Sequence, residues 1–365
     1  MKVPYTNFFE KNISIRNDLI DAFTQVLDNG QYISGPSLKL FESNFSKYCQ
    51  TKYSTGLASG TCSLHLSLSA IGIKENDEVI TVPNSFIATA ASIHIAGACI
   101  VFVDSDYDMN IDVNKIEEAI TKNTRVIMPV HLTGRPAKMN TINQIAKKYN
   151  LFVLEDAAQS IGAEYNNQKV GSLGDAACFS LHPLKNLHAF GDGGMMTSNN
   201  LELINKINLL KNHGLKSRDS CEFFGFNCKL DELQAALLNI QIKKIDEWTD
   251  DRRKIAFRYN DLLSPYVKVP NENPNEKHVY QTYVVQCEQR DKIQNYLQKN
   301  DVEALVHYPT PIHSHPASKI LGYKNTDFPV TLDLSKKILS LPIYPGLKIE
   351  QQEYIAKLFK KFYGQ

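Results

Sequence analysis

The stretch Cys178-Phe-Ser-Leu-His-Pro-Leu-Lys-Asn-Leu-His-Ala-Phe-Gly-Asp-Gly-Gly-Met-Met-Thr197 sets a single lysine, Lys185, between an apolar β-rich run and a glycine-rich turn. Its neighbours are mostly aromatic, small or apolar, so the chain can present the amine in a closed pocket. Loss of water disfavours an ammonium and lowers its pKa towards working pH, as a lysine that forms a Schiff base requires. A lysine taken at random is more often a solvated surface group. Lys185 is distinguished from that ordinary case by what precedes it.

Upstream, from about residue 55 to 200, short β-rich runs alternate with helix-period stretches, the pattern of βαβ units around a mainly parallel sheet. The expected strands are Glu78–Val82, Cys99–Val103, Arg125–Val130, Leu151–Leu154 and Ala177–Ser180. Helices are expected at Asp112–Ile120, with Val113, Ile116 and Ile120 on one face, and at Asn140–Tyr149, with Ile142, Ile145 and Tyr149. Downstream, Asp231–Trp248 is amphipathic and leads out of this region. Leu263–Lys277 is rich in Pro and Asn and reads as loop, and Val279–Val285 alternates like a strand. The fold class is therefore α/β, with a large domain over residues 1–244 and a smaller C-terminal α+β domain over residues 245–365. The N-terminal segment is expected to pack on the smaller one.

Leu154-Glu-Asp-Ala-Ala-Gln-Ser places Asp156 at the carboxyl end of a buried strand, where open parallel sheets collect ligands. A carboxylate there can pair with a protonated pyridine nitrogen and keep the ring electron-poor. Gln159 lies three residues on, within reach of a ring hydroxyl. Read alone, Asp156 is as well explained as a helix cap. Ala58-Ser-Gly-Thr-Cys opens an apolar helix whose first amides, with the Thr61 hydroxyl, make an anion site. Phe86, in Ser85-Phe-Ile-Ala-Thr, can stack on a flat ring, although an isolated aromatic is more often core.

Composition excludes several classes. Forty basic against 39 acidic residues leave a formal charge of +1, so no electrostatic footprint for nucleic acid or a membrane surface is expected. No run is apolar for long enough to span a bilayer. Seven scattered cysteines without a C-x-x-C pair read as reduced thiols of a cytoplasmic protein, and no metal set is apparent. No G-x-G-x-x-G follows a strand, which argues against a nucleotide-binding Rossmann protein.

Taken in order, these segments resemble the DegT/DnrJ/EryC1/StrS family, the sugar aminotransferases of pyridoxal-phosphate (PLP) fold type I, which is aspartate aminotransferase-like. The resemblance runs from Gly30-Gln-Tyr-Ile-Ser-Gly-Pro through Ser59-Gly-Thr, Ser85-Phe-Ile-Ala-Thr, Glu155-Asp-Ala-Ala-Gln-Ser and the lysine stretch. It continues through Gly225-Phe-Asn-Cys-Lys-Leu-Asp-Glu-Leu-Gln-Ala-Ala to Val306-His-Tyr-Pro-Thr-Pro-Ile-His. It implies PLP as cofactor, with Lys185 as the Schiff-base lysine, Asp156 at the pyridine nitrogen, Gln159 at the ring hydroxyl and Phe86 on the ring. Gly60, Thr61 and Ser180 would bind the phosphate, and Asn227 would reach it from the other subunit of a homodimer with shared sites. His307, Tyr308, Tyr32 and His313 would face the sugar.

Lys229 stands where relatives carry Arg, and an ammonium cannot make the two-pronged contact of a guanidinium. Phe190-Gly-Asp-Gly-Gly differs from the Thr-Thr-x-Glu-Gly-Gly of relatives that aminate C4, and points to C3. The expected reaction is transfer of the amino group of L-glutamate to a nucleotide-linked keto-deoxysugar, such as a dTDP-3-keto-6-deoxyhexose, for a surface glycan such as an O-antigen. The alternatives are a C4 aminotransferase and a non-catalytic PLP-binding regulatory protein. A related sugar dehydratase would carry His in place of Lys185.

Overall fold

The computed structural model describes residues 1–364. A seven-stranded sheet forms its centre, built from β1 (Tyr53–Leu57), β2 (Glu78–Thr81), β3 (Cys99–Phe102), β4 (Thr124–Ile127), β5 (Phe152–Asp156), β6 (Ala176–Ser180) and β7 (Gly194–Ser198). The spatial order is β1-β7-β6-β5-β4-β2-β3. Neighbours from β3 to β6 are parallel, whereas β7 runs antiparallel to both β6 and β1. Parallel neighbours need a crossover connection, whereas the loop of residues 181–193 between β6 and β7 reverses the chain. Lys185 sits in that loop.

Both faces of the sheet are covered, so its parallel strands place apolar side chains on both faces rather than alternating. Ile80, Ile127 and Val153 face one cluster of buried side chains, and Val79, Val126 and Leu154 face another. The helix Gly60–Ile71 packs Leu64 and Leu68 into the second cluster. Its first turn is capped by the Ser59 hydroxyl, which accepts from the Cys62 amide at 3.1 Å.

A separate cluster around Tyr259, Tyr283, Leu339 and Phe359 forms the core of the C-terminal part. There β8 (Tyr283–Gln286) pairs antiparallel with β9 (Ile338–Leu341). Val3 is fully buried in the same cluster and bridges to Val302. No helix among the described residues is long and apolar enough to cross a membrane.

Four expectations need correction. Asp112–Ile120 is not an α-helix but two 3-10 turns, Val113–Lys115 and Glu117–Ala119. The Asp112 carboxylate accepts from the Asn114 amide, and Ile120 is already extended before a further turn leads into β4. The stretch from residue 231 does not stop at Trp248: the helix Glu232–Gln241 passes through one 3-10 turn into a helix ending at Leu263. Residues 279–282 lie outside β8, because Val279 and Thr282 donate to the backbone of Gly134 and Thr133 instead. Finally, no helix begins after Asp156, and Gln159 is placed by a turn.

Candidate active site

The carboxyl ends of β5 and β6, the start of the helix Gly60–Ile71 and the lysine loop enclose one cavity of about 420 Å³. Nine of the residues named from the sequence line it: Gly60, Thr61, Phe86, Asp156, Gln159, Ser180, Lys185, His307 and Tyr308. These come from five stretches of chain, and the topology alone brings them together.

The lysine loop is fixed at both ends. Leu181 donates to the Gly193 carbonyl at 2.8 Å, and Ala189 donates to the Leu181 carbonyl at 2.7 Å. Asn186 is held from the far side, its amide donating to Gln281 Oε1 at 2.9 Å and its carbonyl accepting from Lys11 Nζ at 2.8 Å. Burial in this loop lowers the Lys185 pKa to about 8, with the nearby Asp156 charge opposing the fall. Burial conversely raises the pKa of Asp156, opposed first by Thr89 Oγ1, which donates to its Oδ2 at 2.8 Å. The Ala158 amide donates to Asp156 Oδ1 at 3.2 Å.

Gly60 and Ser180 meet where an anion would be held. A Cβ on Gly60 would stand 2.8 Å from Ser180 Cβ, so only glycine lets the helix start approach the end of β6 this closely. Gln159 is locked in orientation, its Oε1 accepting from the Thr133 amide at 2.8 Å and its Nε2 donating to the Tyr308 hydroxyl at 3.1 Å. The Tyr308 ring lies 5.7 Å from that of Phe86, which is half exposed on the cavity wall. His307 Nδ1 pairs with Ser340 Oγ at 2.9 Å, and burial lowers its pKa to about 4. A glycine cradle at a helix start, a buried carboxylate and a buried amine of lowered pKa match the three parts of PLP: phosphate, pyridine nitrogen and aldehyde.

Four named residues stand outside this cavity. Tyr32 is exposed. Asn227 Oδ1 accepts from Lys229 Nζ at 2.8 Å, and the same ammonium donates to Asn212 at 3.0 Å. His313 is buried against Phe328, with Nε2 paired to Asn325 Oδ1 at 3.2 Å. The cavity is also lined by residues to which the sequence reading gave no role. Thr89 and Asp192 lie inside motifs already quoted, so their spacing was a usable signal. Tyr5, Arg252 and Thr282 come from outside every motif and had none. No group of three or more metal-ligating side chains occurs among the described residues.

The model of the DegT/DnrJ/EryC1/StrS aminotransferase family matches residues 13–360. The chain is 39% identical, over 99% of both chains, to the dTDP-3-amino-3,6-dideoxy-alpha-D-galactopyranose transaminase of Aneurinibacillus thermoaerophilus. It is also 39% identical to a pleiotropic regulatory protein of Geobacillus stearothermophilus, covering 100% of this chain and 99% of that one. Among solved structures it is similar to S. venezuelae DesV in complex with a ketimine intermediate, with a TM-score of 0.97 and 34% identity over 100% of this chain and 99% of that one. A family match over nearly all of the chain, with a shared fold built around this cavity, makes the protein a member of the DegT/DnrJ/EryC1/StrS aminotransferases, PLP-dependent enzymes of fold type I.

Proposed function

We propose that this aminotransferase moves the amino group of L-glutamate to the C3 keto carbon of a nucleotide-linked 6-deoxyhexose, leaving 2-oxoglutarate. The carrying observation is that Lys185, Asp156 and the Gly60–Ser180 cradle line one cavity that Asp192 also lines. Asp192 belongs to the Gly-Asp-Gly-Gly turn, and its presence in that lining supports a role for this segment, which distinguishes the C3 from the C4 pattern, in choosing the carbon. The name of the A. thermoaerophilus relative, a 3-amino sugar transaminase, supports the same carbon.

PLP supplies an electron sink that acidifies the carbon bearing the nitrogen. The chain supplies the rest. The amides at the start of the helix Gly60–Ile71, with Thr61 and Ser180, hold the phosphate, and Asp156 keeps the pyridine nitrogen protonated. Gln159 meets the ring hydroxyl, and Phe86 covers one face of the ring. Lys185 Nζ would hold the cofactor's aldehyde carbon, and the same amine would be the base that takes the proton from the donor Cα. Burial lowers the pKa of that amine to about 8, towards the working pH of a base. His307 and Tyr308 face the sugar.

The reading includes a homodimer with shared sites. The N-terminal helices present Phe9, Ile13, Ile20 and Phe23 beside Phe190 on an exposed apolar groove. Tyr32, Asn227 and Lys229, which do not line their own chain's cavity, are assigned to the partner's. His313 does not line its own chain's cavity and keeps only the role implied by resemblance. The division of the chain at residue 244 and a cytoplasmic location belong to the same reading; the separate C-terminal core and seven unpaired cysteines support them. The relative called a regulatory protein favours one second reading, PLP binding without turnover.

The test is turnover of L-glutamate with a panel of nucleotide-linked 3-keto and 4-keto sugars, with the new amine located by NMR. An amine at C3 is expected. An amine at C4 refutes the assignment of the carbon, and a protein that binds PLP but turns over no sugar supports the regulatory reading. Borohydride should fix the cofactor on Lys185, and Lys185→Ala should bind PLP without turnover. Mixing Lys185→Ala with Asn227→Asp should restore part of the activity, since one of the two hybrid sites carries neither lesion.

A further inference from the structure

Arg252, in the helix Ile245–Leu263, is only 6% exposed and lines the same cavity as Lys185. Its situation differs from that of other sheltered arginines in the chain. Arg135 Nε meets Glu276 at 2.9 Å, and Arg253, the next residue, holds Glu272 through two nitrogens at 2.8 and 2.9 Å. Arg252 has no carboxylate partner. Its Nη1 donates to the carbonyls of Tyr280 at 3.2 Å and Ile343 at 2.8 Å, and these are its protein hydrogen bonds among the described residues. The Tyr5 phenol is the one titratable group that favours its cation, and burial lowers its pKa to about 10. Beside it on the cavity wall, the buried Thr282 hydroxyl also lacks a hydrogen-bond partner.

An unpaired buried guanidinium is costly, because it loses hydration without gaining a counter-charge. A fold that keeps one on a ligand cavity has left the counter-charge to the ligand. With Nη1 used, the Nε and Nη2 donors remain as one edge of the planar fork, and that edge fits both oxygens of a carboxylate. We infer that Arg252 binds the α-carboxylate of the amino donor, with Thr282 beside it as a further donor. This inference rests on the amino-acid-donor reading of the site given above.

The position selects a carboxylate over a sugar diphosphate. In an α-amino acid the carboxylate is bonded to the reacting carbon, so it must sit a few ångströms from whatever faces Lys185, in the buried part of the site. The diphosphate of a nucleotide sugar hangs from C1, at least one ring bond further from the reacting centre, and carries a bulky nucleoside. That diphosphate belongs at the mouth.

The two half-reactions separate the possibilities, because one substrate carries a carboxylate next to its reacting carbon and the other does not. Holoenzyme mixed with L-glutamate is followed by absorbance as the cofactor takes up the amine. The amine-loaded enzyme is then mixed with the keto sugar. In Arg252→Gln the glutamate half-reaction should need a ten- to hundredfold higher glutamate concentration, and the sugar half-reaction should change far less. Arg252→Lys should recover only part of the loss, since an ammonium offers no fork. Equal losses in both half-reactions, or none in the first, overturn the inference and leave Arg252 as a strut for Tyr280 and Ile343.

Should the variants fail to fold, unaltered holoenzyme is labelled with an arginine-specific dicarbonyl and mapped. Protection of Arg252 by 2-oxoglutarate is expected, and labelling that it does not affect, or no labelling of Arg252, overturns the inference. An unaltered enzyme that responds to no amino acid at all refutes the reading beneath, and this inference with it.

Discussion

Glu155 and Asp156 are adjacent carboxylates on β5, both buried, and their surroundings differ in kind. Successive strand residues point to opposite faces. Glu155 accepts from the amides of Gly171, Leu173 and Gly174 at 3.1, 2.9 and 2.8 Å and pairs with His131 Nε2 at 2.9 Å. His131 Nδ1 accepts from the Ala137 amide, so Nε2 carries the hydrogen and donates to Glu155. Every lone pair that Glu155 can offer is engaged. Asp156 has two donors, Thr89 and Ala158, and the rest of its capacity lies open on the cavity wall. The filled carboxylate holds the fold together, and the unfilled one waits for a ligand.

The sharpest test of that contrast is Asp156→Asn, which should lower turnover about a thousandfold, the scale of removing one well-placed electrostatic group. Its thermal midpoint should stay near that of the parent. Glu155→Ala should do the reverse by leaving three amides and an imidazole without a partner, costing about 3–5 kcal/mol of stability in urea unfolding. Equal loss of stability in both variants would break the comparison.

A smaller effect is expected at Lys185, whose lowered pKa is the electrostatic counterpart of the open side. In apoprotein the folded pKa near 8 lies below the ordinary 10.5, so folding releases a proton between those values. The resulting penalty is fully present below about pH 8 and fades as pH rises through 10.5. Lys185→Met apoprotein should therefore be more stable than the parent at pH 7 by roughly 2–3 kcal/mol, with the gain vanishing in alkaline buffer. Capture of PLP by parent apoprotein should rise with pH to a midpoint near 8. Smallest of all, Thr89→Val removes the hydroxyl that donates to Asp156 and should reduce turnover by about tenfold, the weight of one hydrogen bond to a charged group. A loss as large as that of Asp156→Asn would show that Thr89 does more than hold the carboxylate.

Much of this was legible in the sequence, because the relevant signals are local. Strands β2 to β6 are short apolar runs, and each of the five was found with its ends shifted by a few residues at most. Gly60 begins a helix, Asp156 ends a strand and Lys185 lies in the loop that follows one, where the backbone itself makes the site. Periodicity failed where tertiary demand overruled it: Val113 and Ile116 are buried as expected, yet the chain makes only two 3-10 turns there and no α-helix before β4. Arg252 was beyond reach for a different reason. An arginine in an amphipathic helix carries no mark of whether its carboxylate partner exists, and that absence is visible only once the fold has put Glu272 beside Arg253 instead.

The amino-terminal strap has a mechanical consequence. Val3 is tied by its amide to the Asp301 carbonyl at 2.8 Å and by its carbonyl to the Glu303 amide at 3.0 Å, and the Tyr5 amide donates to Glu303 Oε2 at 2.9 Å. Tyr5 and Thr6 then line the cavity. A displacement of residues 301–303 is thus geared directly to that wall, because the strap is too short to take up slack. Any hinge that moves the C-terminal part against the central sheet would drag the Tyr5 ring with it, reshaping the cavity wall and the surroundings of Arg252 in one stroke.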